Sequence, residues 1–290
     1  MSVLIDRSDQ SGSGFRRARF VVAYDGSAFR GFAPNPHVAT VMGELTRAFS
    51  TVVRQQVVLT GAGRTDAGVH AWGQVISGDL PVDADLGGLV RRINKLCAPA
   101  ISIRQPEWTD DEFDARFSAT WRQYRYHIWN DRSPNPLLAR ISWHVPDPLE
   151  IRLMQAGAAP LIGEHDFSSF CRRPKTAEGQ IEPSMMRRLY EIQWSRVDDT
   201  PMLRLEIRGS AFCHQMVRSI VGSLVDVGLR RLTPADVNAV LRARDRNVAG
   251  RVAPPQGLVL WAVGYDGLRW DAQKRATGDD VAGHVAARPG

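Results

Sequence analysis

The chain has 290 residues, 43% of them hydrophobic and 23% charged, with a net charge of +6 and a pI near 9.6. This is a soluble globular composition of one large or two modest domains; no run of about 18 apolar residues could cross a membrane. The excess of positive charge favours a polyanionic partner.

Of the 37 basic residues only Lys95, Lys175 and Lys274 are lysines. Codon bias accounts for that ratio as well as a need for bidentate phosphate contacts does, but not for the surplus of cations over anions. Cys97, Cys171 and Cys213 are far apart and form no Cys-x-x-Cys pair. That spacing argues against a disulfide framework and a zinc site, and fits a reducing, cytoplasmic compartment. Met1 to Arg7 lacks the apolar run of a signal peptide.

Residues 1–14 are polar and Gly/Ser-rich and read as a disordered tail. Arg19 to Tyr24 alternates as a strand and ends at Asp25-Gly26. Val41, Leu45, Ala48, Phe49 and Val52 are spaced as a helix. Gln56 to Thr60 and Gly73 to Ser77 are short strands. A second helix carries Leu86, Leu89, Val90, Ile93 and Leu96, and a strand follows at Ile101 to Arg104. The order β-α-β-β-α-β is ferredoxin-like.

Thr120 to Asn130 predicts a long strand with Tyr124, Tyr126 and Ile128 on one face. Four prolines mark residues 131–148 as a connection. A second half of similar grammar covers 149–268. It has a helix around Leu153 to Leu161, strands at Arg187 to Val197 and Met202 to Arg208, and a helix from Cys213 to Val227. Another helix follows Thr233-Pro234, and a last strand runs from Leu258 to Val263. The fold class is thus α/β of the α+β type: two halves, 15–130 and 149–268, followed by a second disordered tail at 269–290.

Gly61-Ala62-Gly63-Arg64-Thr65-Asp66 follows a strand but fails as a dinucleotide fingerprint. Asp66 occupies the place of the third glycine, and its charge would repel a pyrophosphate. No Gly-Lys-Ser/Thr follows for a P-loop. The glycines instead allow a tight loop that projects Arg64, Asp66 and His70. Loop position alone makes Asp66 an ordinary turn residue.

The stretch Gly63-Arg64-Thr65-Asp66-Ala67-Gly68-Val69-His70-Ala71 resembles the active-site motif of the TruA family of tRNA pseudouridine synthases. Phe113 to Thr120, Tyr124-Arg125-Tyr126, Gly163 to Phe170 and Phe212 to Gly222 resemble further blocks of that family, in its order. The resemblance spans Tyr24 to Val263. It implies isomerisation of uridine to pseudouridine at positions 38, 39 or 40 of the tRNA anticodon stem-loop. It also implies two ferredoxin-like halves sharing a mainly antiparallel sheet, and a homodimer that binds tRNA.

In this reading Asp66 is the catalytic carboxylate, acting as a nucleophile or as a base at the sugar. No redox cofactor, ATP or metal is required. Burial disfavours a charged carboxylate and a nearby cation opposes that. By resemblance the cation is Arg218, Tyr124 packs against the flipped uracil, and Arg64 manages the flipped nucleotide. His70 orders the loop or contacts RNA, and His214 and Gln215 contact RNA beside Arg218. Arg172, Arg173 and Lys175 form a candidate phosphate cluster. One block departs from the family pattern: Gly31-Phe32-Ala33-Pro34-Asn35 stands where the family has Gly-Trp-Gln. It lies far from Asp66 in sequence, so the departure bears on RNA contacts and the choice of uridine rather than on the reaction.

Two other readings fit parts of the chain. One is a non-catalytic RNA-binding protein of two RRM-like halves, although the aromatic RNA-binding signature is missing. The other is a glycoside hydrolase, which needs a second carboxylate beside Asp66, with Asp25 and Asp114 as candidates.

Overall fold

The computed structural model describes residues 14–173 and 182–265. The two predicted tails therefore lie outside the described residues, Gly14 excepted, as does Lys175.

Strand β1 (Phe15–Tyr24) turns Ala18, Phe20, Val22 and Tyr24 into the core by two-residue alternation. It begins four residues before the predicted strand because Phe15 to Ala18 pair with Pro81 to Gly78. Helix α1 (Val41–Val53) starts where the Thr40 hydroxyl accepts from Gly43 N, and it buries Val41, Met42, Leu45, Ala48 and Phe49. Strands β2 (Leu59–Gly61) and β3 (His70–Pro81) flank the loop that carries Asp66. Helix α2 (Leu86–Cys97) and strand β4 (Ile101–Trp108) complete the unit, whose strands lie in the order β4-β1-β3-β2.

Strand β5 (Trp121–Trp129) is followed by β6 (Trp143–His144), α3 (Ile151–Ala158), β7 (Gly163–Asp166), β8 (Met186–Arg196) and β9 (Met202–Gly209). Helices α4 (Met216–Gly228) and α5 (Pro234–Ala243) and strand β10 (Leu258–Gly264) close the described chain. Gln215 sits in the left-handed region at φ 64°, so α4 starts at Met216 rather than at Cys213. Helix α5 starts at a capping box: the Thr233 hydroxyl accepts from Asp236 N, and the Asp236 carboxylate accepts from Thr233 N at 2.7 Å.

The strands form one sheet in the order β4-β1-β3-β10-β5-β9-β8-β7, with β2 on β3 and β6 on β5. Strand β5, grouped with the first half from sequence, pairs with β9 from Arg122 to Trp129 and with β10 from Trp121 to Tyr126. The order β10-β5-β9-β8 repeats that of the first unit, with β7 added at the edge. The last strand joins the two units: β10 runs parallel to β3 at Val259↔His70 and Leu260↔Ala71, and antiparallel to β5. The other pairings along the main path are antiparallel.

Register decides which side chains share a face. Tyr24 pairs with Ala71, Ala71 with Leu260, Leu260 with Tyr124, and Tyr124 with Ile207. This row belongs to the core, together with the buried faces of the helices. The opposite face carries a stack of Arg104, Trp72, Trp261 and Arg125. The two indoles stack at 6.1 Å, and the outer guanidinium groups lie 4.2 and 3.7 Å from the ring centres.

One expectation needs correction. Cys171 and Cys213, 42 residues apart in sequence, are paired as a disulfide with Cα atoms 5.7 Å apart. The segment after Phe170 packs against the segment entering α4, a proximity that sequence spacing does not carry. A single pair is still not the framework of bridges used by small secreted domains, but it removes cysteine spacing as an argument about compartment.

Candidate active site

The loop between β2 and β3 is held on every side before Asp66 reaches the cleft. Ala62 N donates to Val75 O at 2.8 Å, and Gln74 Nε2 to Gly63 O at 2.7 Å. The Tyr24 hydroxyl meets Thr65 Oγ1 at 2.8 Å, and Phe32 N donates to Thr65 O at 3.1 Å. Burial pushes the Tyr24 phenol well above its ordinary range, so it remains a neutral partner for Thr65. The turn closes with Val69 N donating to Asp66 O, and Gly68 takes φ 77° there. Gly26 packs so tightly against this turn that a Cβ would lie 2.0 Å from Val69 O.

Asp66 thereby points into a cleft of about 840 Å³ between the two units. Its side chain is 21% exposed. Arg218 of α4 reaches it from the other unit, with Nη1 donating to Asp66 Oδ2 at 2.9 Å and Nε to Ala253 O at 2.7 Å. His214 Nε2 lies 3.1 Å from the other carboxylate oxygen, Oδ1. Tyr124 rises from β5 into the same cleft and rests edge-to-face on Phe212, with ring centres 5.0 Å apart. Its phenol is pushed up to about 12, chiefly by burial, with the Asp66 charge adding to the shift against the opposing effect of Arg122.

The other sequence candidates divide. Arg64 lines the cleft and is exposed; among the described residues it makes no hydrogen bond or ion pair. Gln215 also lines the cleft, and its backbone carbonyl accepts from Ser219 N as α4 begins. His70 does not line it. The imidazole is buried, with Nδ1 accepting from Gly26 N at 3.1 Å and Nε2 facing Arg140 O at 2.9 Å. Both nitrogens are occupied within the protein, which ties the imidazole to the backbone at Gly26 and Arg140. Arg173 is engaged by Glu182 at 3.1 Å, while Arg172 uses its backbone N–H to hold His214 O at 2.9 Å.

Some lining residues were not singled out from sequence. Arg30 and Arg116 join Arg64 and Arg218, so among the described residues four arginines line the cleft and Asp66 is its single carboxylate. Asp25 and Asp114 are elsewhere, each capping its own turn: Asp25 accepts from Ser27 N, and Asp114 from Arg116 N and Phe117 N. Among the described residues, the second carboxylate of a glycoside hydrolase is therefore missing from the cleft. The divergent segment Gly31 to Asn35 forms a wall of the cleft. Gly31, at φ 111°, brings its backbone against Thr65 and Asp66, while Phe32 stacks under Tyr24. Distance in sequence from Asp66 was thus a poor guide to distance in space. Phe113 to Thr120, noted for its resemblance alone, supplies Arg116. Among the described residues no three His, Cys, Asp or Glu side chains gather as a metal-binding group.

A carboxylate gripped by one guanidinium, a ring at the floor and a basic rim suit chemistry on a polyanion whose base has left its stack. Comparison with known proteins points the same way. Residues 158–266 match the family model described as tRNA pseudouridine synthase. The tRNA pseudouridine synthase A of Bacillus subtilis (strain 168) is 36% identical over 252 residues, which is 86% of this chain and 99% of that protein. The enzyme of the same name from Brevibacillus brevis is 38% identical over 250 residues, covering 86% of this chain and 100% of that protein. That from Listeria monocytogenes serovar 1/2a is 35% identical over 252 residues, covering 86% and 99%. Identity at this level across nearly the full length of each relative means that the chain belongs to the tRNA pseudouridine synthase family.

Proposed function

We propose that this protein isomerises uridine to pseudouridine at positions 38, 39 or 40 in the anticodon stem-loop of tRNA, with Asp66 as the catalytic carboxylate. The observation that carries this reading is the Asp66–Arg218 pair, an acid held at 2.9 Å across two units inside an arginine-lined cleft. The reaction breaks the N1–C1′ bond of the nucleotide and forms a C5–C1′ bond. C5 loses its proton and N1 gains one. Composition and oxidation state are unchanged, so no cofactor is called for. Asp66 serves as nucleophile or as base at the sugar. Tyr124 offers a ring for the extruded base, and Arg64, exposed on the rim, takes the flipped nucleotide's backbone.

A homodimer is part of the proposal, from the family resemblance, and sedimentation of the purified chain tests it. So is a cytoplasmic location, where tRNA is matured; among the described residues no helix is long and apolar enough to cross a membrane.

The test uses tRNA from cells lacking the protein. Anticodon-arm pseudouridine is expected to be lost, restored by the wild type and not by Asp66→Ala. Restoration by Asp66→Ala would remove Asp66 from the mechanism. Release of free uracil would replace isomerisation by hydrolysis. Binding of tRNA without any pseudouridine would leave an RNA-binding protein.

A further inference from the structure

The two oxygens of Asp66 meet partners of opposite character. Oδ2 is held by Arg218, whose side chain is 13% exposed and fixed a second time through Nε to Ala253 O. Oδ1 is faced at 3.1 Å by His214, whose side chain is 48% exposed. Arg218 cannot withdraw without stranding a part-buried carboxylate and the Ala253 carbonyl. The His214 ring can turn into solvent at little cost, because about half of it is already exposed.

The backbone beneath that ring is fixed. His214 O accepts from Arg172 N, Cys213 is tied to Cys171, and Gln215 turns the chain at φ 64° into α4. Only the side chain is free to move. We propose that His214 is a positioning residue that keeps Asp66 Oδ1 aimed at the incoming uridine.

The proposal rests on Asp66 being the catalytic carboxylate and goes beyond it by naming the reacting oxygen and its keeper. With Arg218 bonded to Oδ2 and the His214 ring 3.1 Å from Oδ1, the carboxylate is confined to one orientation. Without His214 it can rotate about its terminal bond, and the reacting oxygen loses its aim. Misaimed reactants cost rate rather than binding. A histidine serving as a phosphate contact would do the reverse.

The experiment compares wild type, His214→Ala and His214→Gln, with an anticodon stem-loop RNA as substrate. Pseudouridine is read by mass spectrometry under single and multiple turnover, and RNA affinity is measured separately. His214→Ala is expected to lower kcat roughly 10- to 100-fold, the scale of a small misplacement in a reacting pair, with KM and RNA affinity nearly unchanged. His214→Gln, whose amide N–H can reach Oδ1, is expected to recover most of kcat. The proposal is overturned by a raised KM or weakened RNA binding at unchanged kcat, by failure of His214→Gln to recover, or by wild-type kinetics in His214→Ala. A wild-type protein that forms no pseudouridine would instead overturn the functional reading beneath it.

Discussion

Arg218 and Asp66 lie 152 residues apart in sequence and 2.9 Å apart in the cleft. One belongs to α4 of the second unit and the other to the β2–β3 loop of the first. The pair spans the seam at which β10 joins β3 to β5, and under the proposed function activity depends on that seam.

Replacing Arg218 tests that dependence. Arg218→Lys keeps the charge but cannot serve Ala253 O and Asp66 Oδ2 together, since an ammonium lacks the fork of a guanidinium. Arg218→Lys and Arg218→Ala are both expected to lower kcat on the order of 100-fold, the usual cost of removing one preorganised partner from a site. Circular dichroism should show the fold retained. Near-wild-type turnover by Arg218→Lys would mean that charge alone suffices.

Tyr124 separates ring from hydroxyl. Tyr124→Phe keeps the ring that rests on Phe212 and should bind RNA as the wild type does. Tyr124→Ala should lose roughly 1–3 kcal/mol of stacking. Tyr124 lines the cleft, and its hydroxyl has no hydrogen-bond partner among the described residues. Raised to about 12, it stays a neutral donor through pH 10, so this group should produce no alkaline limb in kcat below that pH. If it donates to the reacting nucleotide, Tyr124→Phe lowers the single-turnover rate by about 10²-fold or more; an unchanged rate confines Tyr124 to stacking.

Gly26 sits outside the cleft, yet its missing side chain shapes it. A Cβ there would fall 2.0 Å from Val69 O, in the turn that follows Asp66. Gly26→Ala must push that turn away. The expected result is a loss of about 1–3 kcal/mol in stability, as for overpacking generally, and a fall in kcat larger than the rise in KM. Unaltered melting and turnover would show that the loop adjusts freely.

His127, on the face of β5 away from the helices, supplies a pH signature. Burial first, and then Arg204 and Arg125, push its imidazole down to about 4 from an ordinary 6.5. The folded state favours the neutral ring. This contribution to stability is present above pH 6.5 and is lost as pH falls from there through 4. NMR titration should place its midpoint near 4, and His127→Gln should flatten the stability profile across that window. A midpoint near 6.5 would contradict the burial argument.

How much could be read in advance follows from how local each signal is. Helices α1 and α2 were legible because apolar residues recur at three- and four-residue spacing, and α5 because Thr233-Pro234 marks a helix start within two residues. The short strand β7 was missed because Gly163 to Asp166 has no alternating apolar pattern and pairs only at the edge of the sheet. Asp66, Tyr124 and Arg218 were singled out by resemblance to family motifs, since loop position and helix spacing alone gave each an ordinary structural explanation.

By itself, then, the sequence determined most of the elements, the surplus of positive charge and the motif that carries Asp66, because each is encoded in neighbouring residues. Tertiary structure alone decided the rest. It set β10 between the units, brought His214 and Arg218 to opposite oxygens of one carboxylate, turned His70 inward, made Gly31 to Asn35 a wall of the cleft, and paired Cys171 with Cys213. Those relations join residues distant along the chain. They are fixed by sheet register and by close packing of loops, which no local pattern records.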